Sequence, residues 1–454
     1  MHADVLIAEI GSTTTLVNAF CIDASAPPSF LGQGQADTTV LAGDVRIGLN
    51  EAIHDLKRNV GADEVTYGQM LATSSAAGGL RMCVHGLVYD MTVRAAEAAA
   101  LGAGAIIRQT TAGRLTDAEI DEQRAISPNL ILLAGGTDYG ERETALYNAR
   151  RIASLGLKTP VIYAGNVQNQ SAVRAVFAES KTPLFVTENV YPRLDELNIE
   201  PARRIIHDAF ERHIINAPGM EHIRDMVSGH ILPTPGAVME AAKLLYEDIG
   251  DLVVVDIGGA TTDVHSVTPG SEELAALATA PEPMAKRTVE GDLGLYVNAR
   301  NLIERIGRDR LARELSIDVD AVMAHYQPVP DTPEQFLLTE RLCREAGVLA
   351  MERHAGRMRY LYLPTGRKAI AEGKDLTRVK SIIGTGGALT RLPHREALLQ
   401  SIANCNKTGL MLYPRENTMR LLFDNRYIMA SAGVLARHDP TAALRLLRSS
   451  LELS

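Results

Sequence analysis

The hydrophobic pattern along the chain consists mainly of short apolar runs that end in glycine-rich turns. An apolar run at 5–8 leads through a Gly/Ser/Thr turn into a second apolar run at 16–20, and this order predicts a β-hairpin. The same order of strand, glycine turn and strand occurs at 252–267, and a strand at 69–73 precedes the small-residue stretch 74–79. Helical periodicity predicts helices at about 44–60, 92–107, 201–230, 236–247, 335–360 and 427–437.

Strand-like runs alternate with helical segments between about 128 and 190. The strand-like runs are 130–134, 160–166 and 184–187. This alternation is typical of βαβ units, which form a parallel sheet. We therefore predict an inserted α/β unit. Its turn 135–138 and Asn166 follow strands, where open sheets bind ligands, although a tight βα turn explains the former better and a helix N-cap explains the latter equally well.

The two predicted hairpins form an internal repeat. They read VLIAEIGSTTTLVNAF and LVVVDIGGATTDVHSV, and their acidic residues Glu9 and Asp256 are 247 positions apart. Glycine lets the backbone approach an anion closely, turn amides and hydroxyl groups hydrogen-bond phosphate oxygens, and a carboxylate facing the same cavity can hold Mg²⁺. Two such hairpins that face each other would clamp a polyphosphate. The candidate phosphate-binding residues are Gly11, Ser12, Thr13, Thr14, Gly258, Gly259, Thr261 and Thr262.

A third glycine-rich segment strengthens this interpretation. It follows a predicted strand at 379–383 and lies 125 residues beyond the second hairpin. We expect its glycines to pass beneath the ribose and α-phosphate of a nucleotide, because only glycine permits such a close approach. These glycines are Gly384, Gly386 and Gly387.

Some of these residues have a simpler structural explanation. Asp256 could cap its own turn as a strand-end acid. Asp263 could orient a water molecule near a γ-phosphate, and it could equally pin the hairpin. About half of the threonines could serve only as strand formers. The argument for a nucleotide site therefore depends on the three segments occurring together.

Composition bounds the possible functions. The 454 residues suggest roughly two to four domains, and 46% hydrophobic with 22% charged residues excludes general disorder. A net charge of −9, no tryptophan and 4% aromatic residues argue against a nucleic-acid or anionic-membrane partner. There is no signal-peptide pattern and no run of 18 apolar residues, so we expect a cytoplasmic protein. Reduced thiols are expected because no CxxC spacing joins Cys21, Cys83, Cys343 and Cys405.

The order of the motifs resembles that of the actin/Hsp70/sugar-kinase superfamily. The two hairpins correspond to its phosphate-1 and phosphate-2 elements, and the third glycine-rich segment corresponds to its adenosine element. Segments 231–247 and 427–436 stand where its two connecting helices belong. More narrowly, DIGGATTDVHSV, LLAGGTDYG, VIYAGN, VEGDLG and IIGTGGALT together resemble the MutL family. That family is the accessory protein of adenosylcobalamin-dependent glutamate mutase and is unrelated to the mismatch-repair protein of that name.

This resemblance implies an α/β fold with two ribonuclease-H-like, actin/Hsp70-type ATPase domains around a nucleotide cleft. It implies a first ATPase domain at 1–110 and an inserted α/β subdomain at 111–230, our candidate partner surface. A second ATPase domain at 231–426 and a connecting helical segment at 427–454 complete the expected chain. The implied ligands are ATP or ADP together with Mg²⁺.

The resemblance also implies roles for single residues. Glu9 and Asp256 would hold the metal ion and, with Asp263, carry catalysis. Family members usually have Asp at the position of Glu9. The extra methylene moves the carboxylate by about 1.5 Å, and misplacement on that scale can lower a rate about a hundredfold. Nucleotide binding is therefore a firmer expectation than fast hydrolysis. Further nucleotide contacts are implied for a loop formed by Glu290, Gly291 and Asp292.

Three functions agree with these motifs. The first is an ATP-dependent chaperone, or reactivating factor, that releases a damaged cofactor from a cobalamin mutase such as glutamate mutase. It predicts turnover or nucleotide exchange that depends on a partner protein. The second is a small-molecule kinase of the same superfamily, which predicts ADP release that depends on an acceptor. The third is a nucleotide-gated scaffold without turnover. A homodimer is compatible with each of them.

Overall fold

The computed structural model describes residues 1–22, 26–75, 80–103, 105–194, 196–215, 219–220, 222–229, 231–278, 281–363 and 366–453. Residues 76–79 of the small-residue stretch, and residues 216–218, 221 and 230 of the helix predicted at 201–230, lie outside the described residues.

The described residues contain seventeen strands and sixteen α-helices, numbered along the chain. The strands are β1 (His2–Ile10), β2 (Thr14–Cys21), β3 (Ser29–Asp37), β4 (Thr66–Ser74), β5 (Arg81–Gly86), β6 (Ile106–Ala112), β7 (Leu130–Leu133), β8 (Val161–Tyr163), β9 (Leu184–Val186), β10 (Ile231–Pro233), β11 (Leu252–Ile257), β12 (Thr262–Val267), β13 (Ala285–Glu290), β14 (Arg357–Leu363), β15 (Gly366–Glu372), β16 (Ser381–Thr385) and β17 (Arg420–Phe423). The helices are α1 (Val45–Asn59), α2 (Arg94–Gly102), α3 (Asp117–Ile126), α4 (Glu143–Ser154), α5 (Gln170–Ala178), α6 (Glu200–Ile215), α7 (Thr234–Ile249), α8 (Glu272–Ala275), α9 (Ala299–Ile306), α10 (Arg308–Leu315), α11 (Val319–Ala324), α12 (Pro333–His354), α13 (Gly386–Arg391), α14 (Arg395–Ala403), α15 (Met429–Leu435) and α16 (Pro440–Ser450).

The first sheet has the strand order β3-β2-β1-β4-β10. Strand β2 is antiparallel to β1 and β3, whereas β4 is parallel to β1 and β10. The hairpin predicted between β1 and β2 is present, with Glu9 opposite Leu16. Helix α1 covers this sheet, and its close approach requires glycine in β3, because a Cβ atom on Gly34 would lie 2.0 Å from the carbonyl oxygen of Ala52.

The second sheet repeats the topology of the first, with the order β13-β12-β11-β16-β17. Strand β12 is again the antiparallel one, and β11, β16 and β17 run parallel. Asp256 lies opposite Asp263, at the positions that Glu9 and Leu16 occupy in the first sheet. The fold is therefore α/β with two ribonuclease-H-like sheets, and this prediction is confirmed.

The third sheet is parallel throughout, with the order β6-β5-β7-β8-β9. The chain enters it after β4 and returns to the first sheet at β10, so the predicted inserted α/β unit is present. The predicted boundaries need correction, however. The inserted sheet begins with β5 at residue 81, not at 111, and β10 at 231–233 belongs to the first sheet. The alanine-rich stretch 92–107 was predicted to be one helix. In the structure α2 ends at Gly102 and β6 begins at Ile106.

Two helices pack between the first and second sheets. Helix α7 links β10 to β11, and α15 lies against it and also contacts β1 and β4. Their apolar side chains share a core with Val5 and Ile7 from the first sheet and with Val254 from the second. The two predicted connecting helices therefore meet at the point where the two sheets are joined.

The long helix predicted at 335–360 is shorter than expected. Helix α12 ends at His354, and the chain continues into the β14–β15 hairpin. The helix begins with Thr332 as its N-cap and Pro333 at its first position, a combination that favours a helix start. Its end could not be recognised from the pattern, since the arginines at 357 and 359 fit an exposed helix as well as an exposed strand.

Candidate functional site

The two hairpin turns have the same hydrogen bond. The Gly11 N–H donates to the Thr14 carbonyl oxygen at 2.9 Å, and the Gly258 N–H donates to the Thr261 carbonyl oxygen at 3.0 Å. In each case the turn follows a strand whose second-last residue is the predicted acid. The sequence repeat is thus also a repeat of backbone structure.

The two turns border the same cleft. A Cβ atom added to Gly259 would lie 3.4 Å from Thr13 Oγ1, so the second turn is in contact with the first. The Thr13 and Thr14 hydroxyl oxygens are 3.3 Å apart and half-buried. The two turns therefore lie close enough together for one ligand to contact both.

The charge of the acid in the second hairpin acts on the acid in the first, and both acids have raised pKa values. Burial, followed by the charges of Asp256 and Asp424, raises the pKa of Glu9 to about 8. Burial, followed by the charge of Asp263, raises the pKa of Asp256 to about 7. Glu9 Oε2 is buried and has no hydrogen-bond partner among the described residues. The pair is therefore a site where added positive charge would be stabilising.

The carboxylates of Glu9 and Asp256 fit a magnesium ion whose coordination shell is completed by a bound ligand. In the described part of the chain, no group of three or more His, Cys, Asp or Glu residues could hold a metal. Mg²⁺ in nucleotide sites usually takes only one or two carboxylates and completes its shell with phosphate oxygens and water. Glu9 and Asp256 would supply those carboxylates, and the unpartnered Glu9 oxygen is available for this role.

The third glycine segment packs directly against the second hairpin. Gly386 has a positive φ of 80°, and a Cβ atom on it would lie 2.4 Å from Asp256 Oδ1 and 2.6 Å from the Ile257 carbonyl oxygen. Gly384 lies in β16 against Leu389, whereas an added Cβ on Gly387 meets no atom within 4 Å. The predicted adenosine element is thus next to the Asp256 carboxylate.

Asp263 has its two oxygens occupied. Arg287 Nη2 donates to Oδ1 at 2.8 Å, and Thr261 Oγ1 donates to Oδ2 at 3.1 Å. Both charged side chains are nearly fully buried. Of the two roles predicted for Asp263, the geometry shows the one that pins the hairpin.

The hydroxyl groups and the later loop differ from the prediction in part. Thr262 is buried and donates to the Leu293 carbonyl oxygen at 2.8 Å, so its hydroxyl holds a loop rather than facing the cleft. Ser12 is exposed and donates to the Ser75 carbonyl oxygen at 3.2 Å. Arg353 binds Glu290 at 2.5 Å and Asp292 at 2.8 and 3.0 Å. Asn298 links the Gly291 carbonyl oxygen to that of Ala260 at the second turn.

Comparison with known proteins identifies the family. The sequence profile of the family described as "MutL protein" matches residues 5–451. The chain belongs to the MutL family. Protein MutL of Clostridium tetanomorphum is 38% identical over 461 residues, which cover 98% of each chain.

Solved structures resemble this MutL family member only distantly. A nucleotide-free acetone carboxylase is 14% identical, covers 95% of this chain and 70% of its own, and has a TM-score of 0.42. A diol dehydratase-reactivating factor in nucleotide-free form is 12% identical, with 96% and 99% covered and a TM-score of 0.38. The fold assignment therefore rests on the strand order described above. Among the described residues, no helix has the length and hydropathy of a membrane span.

Two further residues of this MutL family member border the cleft and were not predicted. Asp424 is buried after β17 and accepts hydrogen bonds from the Thr385 and Ser450 hydroxyls at 3.0 and 2.7 Å. Arg391 extends from α13 to Gln33 and Gln35 of β3, and its charge partly offsets the rise in the pKa of Glu9. An acid directly after a parallel strand was a usable signal for Asp424. Nothing local in the sequence indicated Arg391.

A cavity lies away from the two turns of this MutL family member. It has a volume of about 1200 Å³ and lies between α2, β13 and the β14–β15 hairpin. Arg94, Leu101, Arg287 and Lys374 are among the residues that line it. Since the three glycine segments meet elsewhere, we place the candidate nucleotide site at the turns and not in this cavity.

Proposed function

We propose that this chain is a nucleotide-dependent reactivating factor for an adenosylcobalamin-dependent mutase, with glutamate mutase as the expected client. The observation that carries the nucleotide part is the contact between two equivalent hairpin turns, each of which follows a strand whose second-last residue is an acid. Membership of the MutL family supports the part that concerns the client. Experiment can distinguish this proposed function from that of a kinase or of a passive scaffold.

The proposed ligand is ATP with Mg²⁺ in the cleft between the turns. The amides and hydroxyls of the turns would bind the phosphates, and Glu9 and Asp256 would hold the metal ion. Mg²⁺ supplies positive charge that offsets both the phosphates and the two acids. Because the pKa of each acid is raised, binding would release protons from the pair.

The proposed partner surface is the edge of the inserted sheet where its strands end. Large apolar side chains, between 40% and 77% exposed, lie in the loops that follow β5, β7, β8 and β9. Because all these strands are parallel, their following loops lie along one edge of the sheet. Exposed apolar side chains that lie together mark interaction sites. The residues are Val88, Tyr89, Tyr139, Val167 and Leu194.

The test uses glutamate mutase that has been inactivated with a non-alkyl cobalamin. This protein, free adenosylcobalamin and Mg·ATP are added, and mutase activity is followed over time. We expect recovery only when both the protein and ATP are present, and none with the Asp256→Ala variant. ATP binding without recovery would contradict the role as reactivating factor for this client, and ADP release that depends on a small acceptor would indicate a kinase.

A further inference from the structure

A buried arginine joins the second hairpin to the inserted sheet. Arg287 lies in β13, and its Nη2 atom is 2.8 Å from Asp263 Oδ1. Its Nη1 atom donates to the carbonyl oxygen of Leu101, near the end of α2, at 3.2 Å. One guanidinium group thus contacts both the hairpin and the inserted unit.

The hairpin end of this connection is continuous with the nucleotide turn. Asp263 lies opposite Asp256 in the sheet, and its other oxygen accepts the hydroxyl hydrogen of Thr261 in the turn. A movement of the turn therefore moves Asp263. The guanidinium group must follow, because a buried carboxylate would otherwise lose its buried partner.

The end of the connection at Leu101 borders a cavity. Arg287 and Leu101 both line the cavity of about 1200 Å³ between α2 and β13. Arg203 of α6 provides a second contact between the same two elements, because its Nη2 atom donates to the carbonyl oxygens of Ala98 and Ala285 at 3.5 and 3.4 Å. Arg203, however, has no contact with Asp263 or with the turn. The two arginines therefore differ in whether they reach the nucleotide site.

We infer that Arg287 is a positioning residue that couples nucleotide binding at the second turn to the position of α2, a helix of the inserted α/β unit. The inference rests on the proposed function, because it takes the turn as a nucleotide site. ATP at the turn fixes Asp263, Asp263 fixes the guanidinium group, and the guanidinium group then holds the end of α2. Two sites coupled in this way affect each other reciprocally.

The test measures amide hydrogen exchange of the full chain with and without Mg·ATP, alongside ATP affinity by calorimetry. In the wild-type protein, ATP is expected to slow exchange in α2 by about fivefold or more. The Arg287→Lys variant keeps the positive charge beside Asp263 but lacks the second arm to Leu101, so it should bind ATP and lose the response of α2. Arg203→Gln is the matched control and should keep the response.

A double variant controls for simple misfolding. In the double variant Asp263→Asn with Arg287→Gln, no buried charge is left unpaired, and the response of α2 should again be lost. A response that persists in Arg287→Lys, or that is lost equally in Arg203→Gln, would overturn the coupling. Wild-type protein that binds ATP without any change in α2 would overturn it as well. Wild-type protein that does not bind ATP would overturn the proposed function, and the coupling with it.

Discussion

At the scale of single residues, Glu9 and Asp256 contribute two carboxyl groups to one cleft at a cost in electrostatic energy. Burial raises the pKa of both acids, to about 8 and about 7. The folded protein therefore holds protons more tightly there than the unfolded chain, whose glutamate has its usual pKa of 4.5. The resulting stabilisation is complete below that value and is lost as the pH rises through about 8. A bound cation would replace the protons and restore this stabilisation of the folded protein.

We predict that the affinity for Mg·ATP rises as the pH increases from about 6.5 to about 8.5, because protons compete with the metal ion. Calorimetric titrations across this range would measure the effect. The Glu9→Gln variant is the control, since it keeps the shape of the side chain but cannot titrate, and ATP itself titrates equally in both proteins. The same slope in both proteins would show that Glu9 does not take part.

At the scale of elements, the glycine segment at the junction of β16 and α13 packs against the Asp256 carboxylate. Gly386 combines a left-handed backbone with contacts that leave no room for a Cβ atom. Gly387, the next residue, has open space around it. Gly386 therefore cannot carry a Cβ atom without displacing its neighbours, whereas Gly387 has room for one. The sequence alone does not distinguish the two positions.

We predict that Gly386→Ala lowers the free energy of unfolding by more than about 2 kcal/mol, from backbone strain and from displacement of neighbouring atoms. It should also weaken Mg·ATP binding, because the displaced atoms include Asp256 Oδ1. Gly387→Ala is the matched control, with an expected change in stability within about 1 kcal/mol. Denaturant unfolding gives both values, and equal stabilities would contradict the assigned role of Gly386.

At the scale of the whole molecule, two copies of one sheet enclose the cleft and a third sheet is inserted into the first. The helices α7 and α15 pack so closely between the two copies that a Cβ atom on Gly433 would lie 1.8 Å from the Ala237 carbonyl oxygen. The inserted unit contacts the second copy because its helix α2 packs against β13 of that sheet. This contact is the connection through which the proposed coupling would act.

We predict that Tyr139→Ser combined with Leu194→Ser weakens mutase reactivation at least about tenfold, because the two side chains are the most exposed of the apolar edge. ATP affinity should stay unchanged, since neither side chain belongs to a hairpin turn or to the third glycine segment. The matched control is Val329→Ser, an exposed apolar residue in the loop before α12. Activity assays at several mutase concentrations would separate weaker recognition from slower turnover, and full activity of the double variant would exclude this edge.

Much of the fold could be predicted because its signals are local. The hairpins, α1 and the strands β7, β8 and β9 of the inserted sheet appear as short local patterns, and the repeat of acid, glycine and threonine indicated two equivalent units. The end of α12 and the start of the inserted sheet could not be predicted in the same way. At both places helical and extended patterns fit the same residues, and packing against distant strands decided between them.

By itself, the sequence determined the local chemistry: an acid at the end of a buried strand, a glycine turn after it, and a second copy 247 positions later. These features follow from steric rules and hydrophobic periodicity, which act over a few residues. Only the tertiary structure decided which groups meet. The contact between Thr13 and Gly259, the buried pair of Asp263 with Arg287 and the reach of Arg391 to β3 all join distant parts of the chain. Such contacts depend on how the sheets pack against each other, and no local pattern encodes that arrangement.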